Sequence, residues 1–271
     1  MNREILIQEL RERGYRANKR DVTKNGVLCE AVEVGEEKNV SAVIYTEEMF
    51  RVAEEKQIGI EEIAEKIIEI YKNSGCNLID VGQLTDREYL LSHMYIGLQR
   101  KGTEDLIKRP VDQMDGVESY LYARIWDRLG EAATIKMKPA MLRISGIEEE
   151  EAWKLAEEHT YAESMIMSLS ELIEGGESLA VLDDIPMYIL TNQDTMYGAS
   201  AILNKKLLKE FGKKHNVDKV LVLPSSIQEV LLIPYEKSLD LEYYSELVRE
   251  VNRNEVDPIQ QLSDQAYLMN I

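Results

Sequence analysis

The segment from Met187 to Pro234 constrains the fold more than any other part of the chain. It reads as a short apolar strand, a loop of small and polar residues, an amphipathic helix and two further apolar strands. The strand-to-helix turn at residues 191 to 200, TNQDTMYGAS, has neither the glycine spacing nor the lysine of a phosphate-binding loop. The segment therefore predicts a sheet with a packed helix and indicates no particular chemistry.

The N-terminal part of the chain predicts the order helix, three strands and two helices. Residues 15 to 22 and 27 to 34 are predicted strands joined by a tight turn at Asn25-Gly26, because both central positions of that turn need positive φ. A third strand follows. Thr46 then precedes an acidic, amphipathic stretch and is predicted to cap the next helix.

The centre of the chain is less regular. Residues 120 to 127 and 132 to 138 alternate with period two around Leu129-Gly130 and predict a hairpin, residues 141 to 144 predict a short strand, and residues 148 to 159 a helix. The C-terminal part adds predicted strands at 187 to 190, 219 to 223, 227 to 233 and 266 to 269, and predicted helices at 198 to 211 and 239 to 252.

These elements predict an α+β fold of mixed sheets with flanking helices, arranged as two subdomains. Hairpin signals outnumber βαβ crossovers, which disfavours a doubly wound α/β sheet. Gly175-Gly176 is the predicted boundary. It divides an N-terminal α+β region, residues 1 to 175, from a C-terminal α/β-type unit, residues 176 to 271, with the order βαββα and a last short strand.

The charge of the chain makes phosphate-rich partners unlikely. The 271 residues carry a formal net charge of -18, which disfavours nonspecific binding to nucleic acid or anionic membrane. Residues 1 to 26 contain seven Lys and Arg against four Asp and Glu; this favours a solvated protein face over a nucleic-acid arm. No apolar run is long enough to span a bilayer, and Cys29 and Cys76 lack a redox or zinc spacing, so a reducing cytoplasm is the expected location.

The sequence predicts that the protein binds neither a metal nor a cofactor. Its three histidines, His93, His159 and His215, are scattered singly, unlike the clustered ligands of zinc sites. Asp183-Asp184 and Asp194 flank one strand and could bind magnesium or act as acid and base. The interpretation as turn-forming residues is favoured, because acidic residues before Ile-Pro are typical of turns.

Two further motifs have a chemical and a structural interpretation. Ser225-Ser226 could provide a nucleophile, but the flanking glycines of a nucleophile elbow are absent and a strand follows, so a hydrogen-bonded turn is favoured. Residues 198 to 201, Gly-Ala-Ser-Ala, could let a helix N-terminus approach an anion. They would equally let the helix pack closely on the sheet, and packing is favoured because no basic residue precedes Lys205.

One set of polar residues is the best candidate for a ligand site. If the strand at residues 187 to 190 lies beside that at 219 to 223, the loops that follow them emerge at the same edge of the sheet. These loops carry Asn192, Asp194, Ser226 and Glu229. We expect the two loops to be neighbours and to bind a small polar ligand.

Several long segments carry a resemblance to a known family. They are FRVAEEKQIGIEEIAEKIIEIY after the strand AVIY, then MYILTN, GASAIL, LPSSIQEV and VREVNRNEVDPIQQLSDQAYL. In this order and over nearly the whole chain they resemble an uncharacterised bacterial family, domain of unknown function 5688. The resemblance implies a bacterial, cytoplasmic protein and brings no catalytic residue or cofactor. The position of Gln228 is often histidine in that family, so the glutamine argues against a serine-histidine mechanism.

Two functions are compatible with these observations. The first is a soluble cytoplasmic protein without catalytic activity, which binds an unknown protein partner or associates with itself. The second is an enzyme or small-molecule-binding domain that uses the loops after Leu190 and Leu223. A deep pocket that encloses the four polar side chains would favour the second.

Overall fold

The chain forms two compact units, which are described separately. The computed structural model describes residues 2–36, 41–73, 81–126, 132–169 and 186–271. One unit contains Met1–Val81 and Ile125–Ala133, and the other contains Gly82–Arg124 and Thr134–Ile271. Gly175-Gly176 lies outside the described residues, so a domain boundary at that position stays a prediction.

The first unit follows the predicted order of helix, three strands and two helices. Its sheet has the strand order β1-β2-β3, and both pairings are antiparallel. Apolar residues from the helices and from one face of the sheet form its core, which includes Leu6, Leu10, Val32, Ile44 and Ile67. The elements are α1 (Arg3–Glu12), β1 (Arg16–Lys24), β2 (Val27–Gly35), β3 (Ser41–Tyr45), α2 (Glu47–Lys56) and α3 (Ile60–Asn73).

The tight turn between β1 and β2 is confirmed. Asn25 and Gly26 have φ angles of 52° and 79°, and Lys24 pairs with Val27 across the turn. Positive φ at both central positions gives the turn the twist of the flanking strands. Thr46 does precede α2, but its hydroxyl donates to the carbonyl of Glu30 at 3.2 Å and caps no helix N–H.

The second unit contains two antiparallel sheets. One has the order β4-β6-β5 with β7 paired to β6, and the other has the order β12-β10-β11-β9-β8. 3-10 helices occupy Val81–Leu84 and Gly198–Leu203. The other elements are α4 (Arg87–Ser92), β4 (Met94–Arg100), β5 (Lys108–Pro110), β6 (Val117–Trp126), β7 (Ala132–Lys136), α5 (Pro139–Ser145), α6 (Glu149–Glu163), β8 (Ser164–Ser168), β9 (Tyr188–Asn192), α7 (Lys205–His215), β10 (Lys219–Leu223), β11 (Val230–Pro234), α8 (Leu241–Asn254) and β12 (Tyr267–Asn270).

Two predicted elements are wrong in type or extent. Residues 141 to 144 belong to the helix α5, which begins at Pro139 and ends before Gly146 with φ 63°; proline at the start and glycine after the end are typical of helices. The predicted helix at 198 to 211 is divided into a 3-10 helix and α7. The division falls at Asn204, whose side chain accepts a hydrogen bond from the N–H of Leu207 and caps α7.

The α+β class is confirmed by the segregated helices and antiparallel sheets. The pairing of β6 with β7 confirms the predicted central hairpin, although Leu129-Gly130 lies outside the described residues. In the part of the chain that the structure describes, no helix is long and apolar enough to cross a bilayer.

Candidate functional site

The two loops of the predicted ligand site are neighbours. Their strands do not lie side by side, because β11 lies between β9 and β10. Both strands run antiparallel to β11 and therefore run in the same direction, so their ends still share one edge of the sheet. The Thr191 hydroxyl donates to the carbonyl of Gln228 at 3.0 Å, and the N–H of Tyr197 donates to Gln228 Oε1 at 2.8 Å.

Two of the four predicted residues stabilise their own loops. Asn192 is buried; its amide Nδ2 donates to the carbonyl of Met196 at 2.8 Å and its Oδ1 accepts from the N–H of Met196 at 3.1 Å. Ser226 is also buried, and its hydroxyl oxygen accepts from the N–H of Gln228 at 3.0 Å. These contacts are those of a hydrogen-bonded turn. Gln228 also forms the contact between the two loops that is described above.

The other two predicted residues lie in different surroundings. Asp194 is exposed and forms an ion pair with Arg124, with 2.9 Å between Arg124 Nη1 and Asp194 Oδ2. Glu229 is half-buried beside Ser226. The structure thus brings the two loops together but directs Asp194 toward a different group of side chains. A ligand bound by Asn192, Asp194, Ser226 and Glu229 stays a prediction.

Burial raises the pKa of the Glu229 carboxyl above its ordinary value, while a hydrogen bond with Ser226 acts in the opposite direction. A raised pKa means that the folded chain binds the proton more tightly than the unfolded chain, so stability is lost as pH rises through the folded pKa. We expect Glu229→Gln to raise the melting temperature at pH 7 by a few degrees. The gain should disappear below about pH 4, where glutamate is protonated in both states.

Thermal unfolding between pH 3.5 and 7.5 measures this difference. Glu255→Gln is the control, because Glu255 is exposed in the same unit. The control should unfold like the parent protein at every pH. A gain in Glu229→Gln that does not depend on pH would show that the buried charge is not its cause.

A buried arginine is the centre of the polar cluster that contains Asp194. The Arg124 side chain is 4% exposed and forms a second ion pair with Glu163, with 2.8 Å between Nη2 and Oε2. Its guanidinium carbon lies 3.8 Å from the centre of the Tyr95 ring, and the Tyr95 hydroxyl donates to Glu163 Oε1 at 2.8 Å. We call Tyr95, Tyr122, Arg124, Glu163 and Asp194 the Arg124 cluster.

The side chains of the Arg124 cluster form charged contacts within the fold. Burial raises the pKa values of Tyr95 and Tyr122 to about 12, so both phenols are protonated at neutral pH and neither provides a base there. Sequence reasoning missed this cluster. A signal was present in the period-two spacing of Tyr120, Tyr122 and Arg124, which places these side chains on one face of β6.

The first unit carries an apolar groove between α2 and α3. Its volume is about 730 Å³. The floor is apolar and the rim carries four carboxylates and one ammonium group. We call this the α2-α3 groove; its floor is formed by Met49, Val52, Ala53, Ile58, Ile63 and Ile70, and its rim by Glu48, Glu62, Glu65, Lys66 and Glu69.

No metal site is found among the residues that the structure describes. Within these ranges no three His, Cys, Asp or Glu side chains are placed to hold an ion. Asp183-Asp184 and Cys76 lie outside the described residues. The expected absence of a metal and of a cofactor stays a prediction.

The comparisons with known proteins identify the family and nothing narrower. The model of a family described as a family of unknown function, DUF5688, matches residues 3–270. The chain therefore belongs to this family, as its sequence motifs indicated. No curated protein and no solved structure matches the chain.

Proposed function

We propose that this chain is a non-catalytic, bacterial cytoplasmic binding protein, and that its first unit binds a basic amphipathic helix of a partner protein in the α2-α3 groove. The observation that carries the proposal is the combination of an apolar floor with an acidic rim. The bacterial origin is what the family resemblance of the sequence motifs implies, and the absence of a redox or zinc spacing of the two cysteines supports the cytoplasmic location.

The apolar floor supports a helical ligand. A groove between two helices accepts the apolar face of a third helix, whose side chains at positions i, i+3, i+4 and i+7 enter it. Ile70 remains 37% exposed beside the buried Ile63 and Ala53, so part of the floor is open to a ligand. Burial of apolar area would provide the main part of the binding free energy.

The rim supports a ligand with positive charge. Glu62 has no ion pair among the described residues, and Glu69 is paired only with Lys66 at the surface, at 3.2 Å. The net charge of -18 adds a long-range field that attracts cations. A helix with lysine or arginine beside its apolar face complements both features, and rim charges of this kind chiefly raise the association rate.

Binding of a designed peptide tests this proposal. The probe is a fluorescent 18-residue helical peptide with leucines on one face and lysines on the other; its counterpart has glutamates in place of the lysines. We expect the lysine peptide to bind with a Kd at least tenfold lower than the glutamate peptide. Ile70→Lys should raise that Kd at least tenfold, because it removes apolar contact and adds a repelling charge.

Ile5→Lys is the matched control. Ile5 is an exposed isoleucine on α1 of the same unit, so the control makes the same change of charge outside the groove and should change the Kd less than about twofold. Equal binding by the parent and Ile70→Lys would reject the groove as the site. A concentration-dependent dimer that Ile70→Lys dissociates would show that a second copy of the chain, rather than a partner protein, occupies it.

A further inference from the structure

A separate cavity lies within the second unit. It has a volume of about 290 Å³ and is lined by α6, α7, β12 and the segment around β5. None of the four residues of the predicted ligand site lines it. Small-molecule sites begin near this volume, so any ligand must be small.

The inner wall of the cavity is apolar and partly aromatic. Trp153 is almost fully buried, and Ile202, Leu208 and Met269 are also buried; all four line the cavity together with Tyr161. Aromatic walls of this kind provide a large contact area for a flat or branched apolar group. The body of the ligand is therefore expected to be apolar.

The mouth of the cavity carries two exposed lysines. Lys205 and Lys209 are exposed, stand one turn apart on α7 and form no ion pair among the described residues. Arg109 also lines the cavity, but it is already paired with Glu150 at 2.5 Å and stacked on Trp153 at 4.5 Å. Glu150 neutralises Arg109, so Lys205 and Lys209 are the two lining cations left to bind an anionic group, in a chain whose overall charge is strongly negative.

We propose that the cavity binds a small carboxylate with an aromatic or branched apolar body. The body lies against Trp153 and Leu208, and the carboxylate lies between Lys205 and Lys209. Burial raises the pKa of the Tyr161 phenol to about 12, so its hydroxyl stays protonated and can donate a further hydrogen bond to the carboxylate. A carboxylate fits better than a phosphate, because an arginine that could bind phosphate in bidentate fashion is held by Glu150.

Titration with 3-phenylpropionate tests the site, with 3-phenylpropanamide as the neutral analogue. We expect 3-phenylpropionate to bind with a Kd on the order of 1 mM, as suits a ligand of this size, and the amide to bind at least fivefold more weakly. Isothermal titration gives both constants. Ligand-induced NMR shifts in the ring signals of Trp153 and Tyr161 locate the site.

Variants distinguish binding in this cavity from nonspecific binding. The double variant Lys205→Met, Lys209→Met should raise the Kd for 3-phenylpropionate about tenfold and leave the Kd for the amide unchanged. Lys206→Met is the matched control, since Lys206 is exposed on the same helix and does not line the cavity; it should bind like the parent. Leu203→Phe should reduce binding of both ligands by filling the cavity.

Three results would overturn the proposal. They are no binding of 3-phenylpropionate up to about 20 mM, equal affinity for the acid and the amide, and an equal loss in Lys206→Met and in the double variant. Tighter binding of phenyl phosphate than of 3-phenylpropionate would show that the cavity takes a phosphate ester rather than a carboxylate. Because the α2-α3 groove lies in the other unit, failure of the peptide experiment would leave this result unaffected.

Discussion

Replacing Arg124 by alanine is expected to lower the free energy of unfolding by about 3 kcal/mol, the lower end of the range for removing one partner of a buried ion pair. The guanidinium is almost fully buried and has two carboxylate partners, Glu163 and Asp194. Without it, Glu163 is left as a largely buried, uncompensated charge and the face of Tyr95 loses its stacked cation. Asp194 is exposed and can be solvated by water, which keeps the loss in free energy of unfolding near the lower end of that range.

Arg249→Ala is the matched control for Arg124→Ala. Arg249 also pairs with two carboxylates, Glu242 and Glu246, but both carboxylates are exposed and Arg249 itself is only half-buried. Exposed ion pairs contribute little, so the control should lose less than about 1 kcal/mol. Urea unfolding followed by circular dichroism compares the two variants.

A third variant separates the lost charge from the lost contacts. Arg124→Met retains much of the apolar contact with Tyr95 and removes the charge, so it should still lose most of the 3 kcal/mol. Equal losses in Arg124→Ala and Arg249→Ala would contradict the view that burial makes the Arg124 cluster important.

The elements that could be predicted are those whose signal is local. The Asn25-Gly26 turn follows from the φ preferences of two adjacent residues, and the amphipathic α3 follows from apolar residues at helical spacing. Residues 141 to 144 gave an ambiguous signal, since a short apolar run fits a strand or a buried helical turn equally well. Pro139 and Gly146, which begin and end α5, were the local signals that distinguish the two.

The candidate site depended on contacts that the sequence does not encode locally. Polar residues at the ends of β9 and β10 could be recognised, and their shared edge followed from strand direction. The partners of each side chain could not be recognised, because Asp194 meets Arg124 from 70 positions away along the chain. That contact depends on how the loop after β9 lies against β6, which is set by packing of the whole second unit.

Gly198 lies where the backbone after β9 packs against the loop after β10. A Cβ at this position would lie 2.5 Å from the carbonyl oxygen of Gln228 and 2.8 Å from the backbone nitrogen of Asn192, and would also meet the hydroxyl of Thr191. Two of these three atoms belong to the backbone, so no side-chain rotation relieves the overlap. Gly198→Ala is therefore expected to lower the free energy of unfolding by about 3 kcal/mol, near the upper end for overpacking.

Two control variants show whether close backbone packing causes this loss. Gly59→Ala should change stability by less than about 0.5 kcal/mol, because its Cβ would meet only the flexible end of the Glu61 side chain, at 2.9 Å. Thr191→Ser in the Gly198→Ala background should restore little, since the backbone atoms of Gln228 and Asn192 stay in place. Full stability of Gly198→Ala would mean that the loops can separate without cost. The small residues at 198 to 201 would then be open to the alternative interpretation, that they make room for a bound anion rather than for the neighbouring strand.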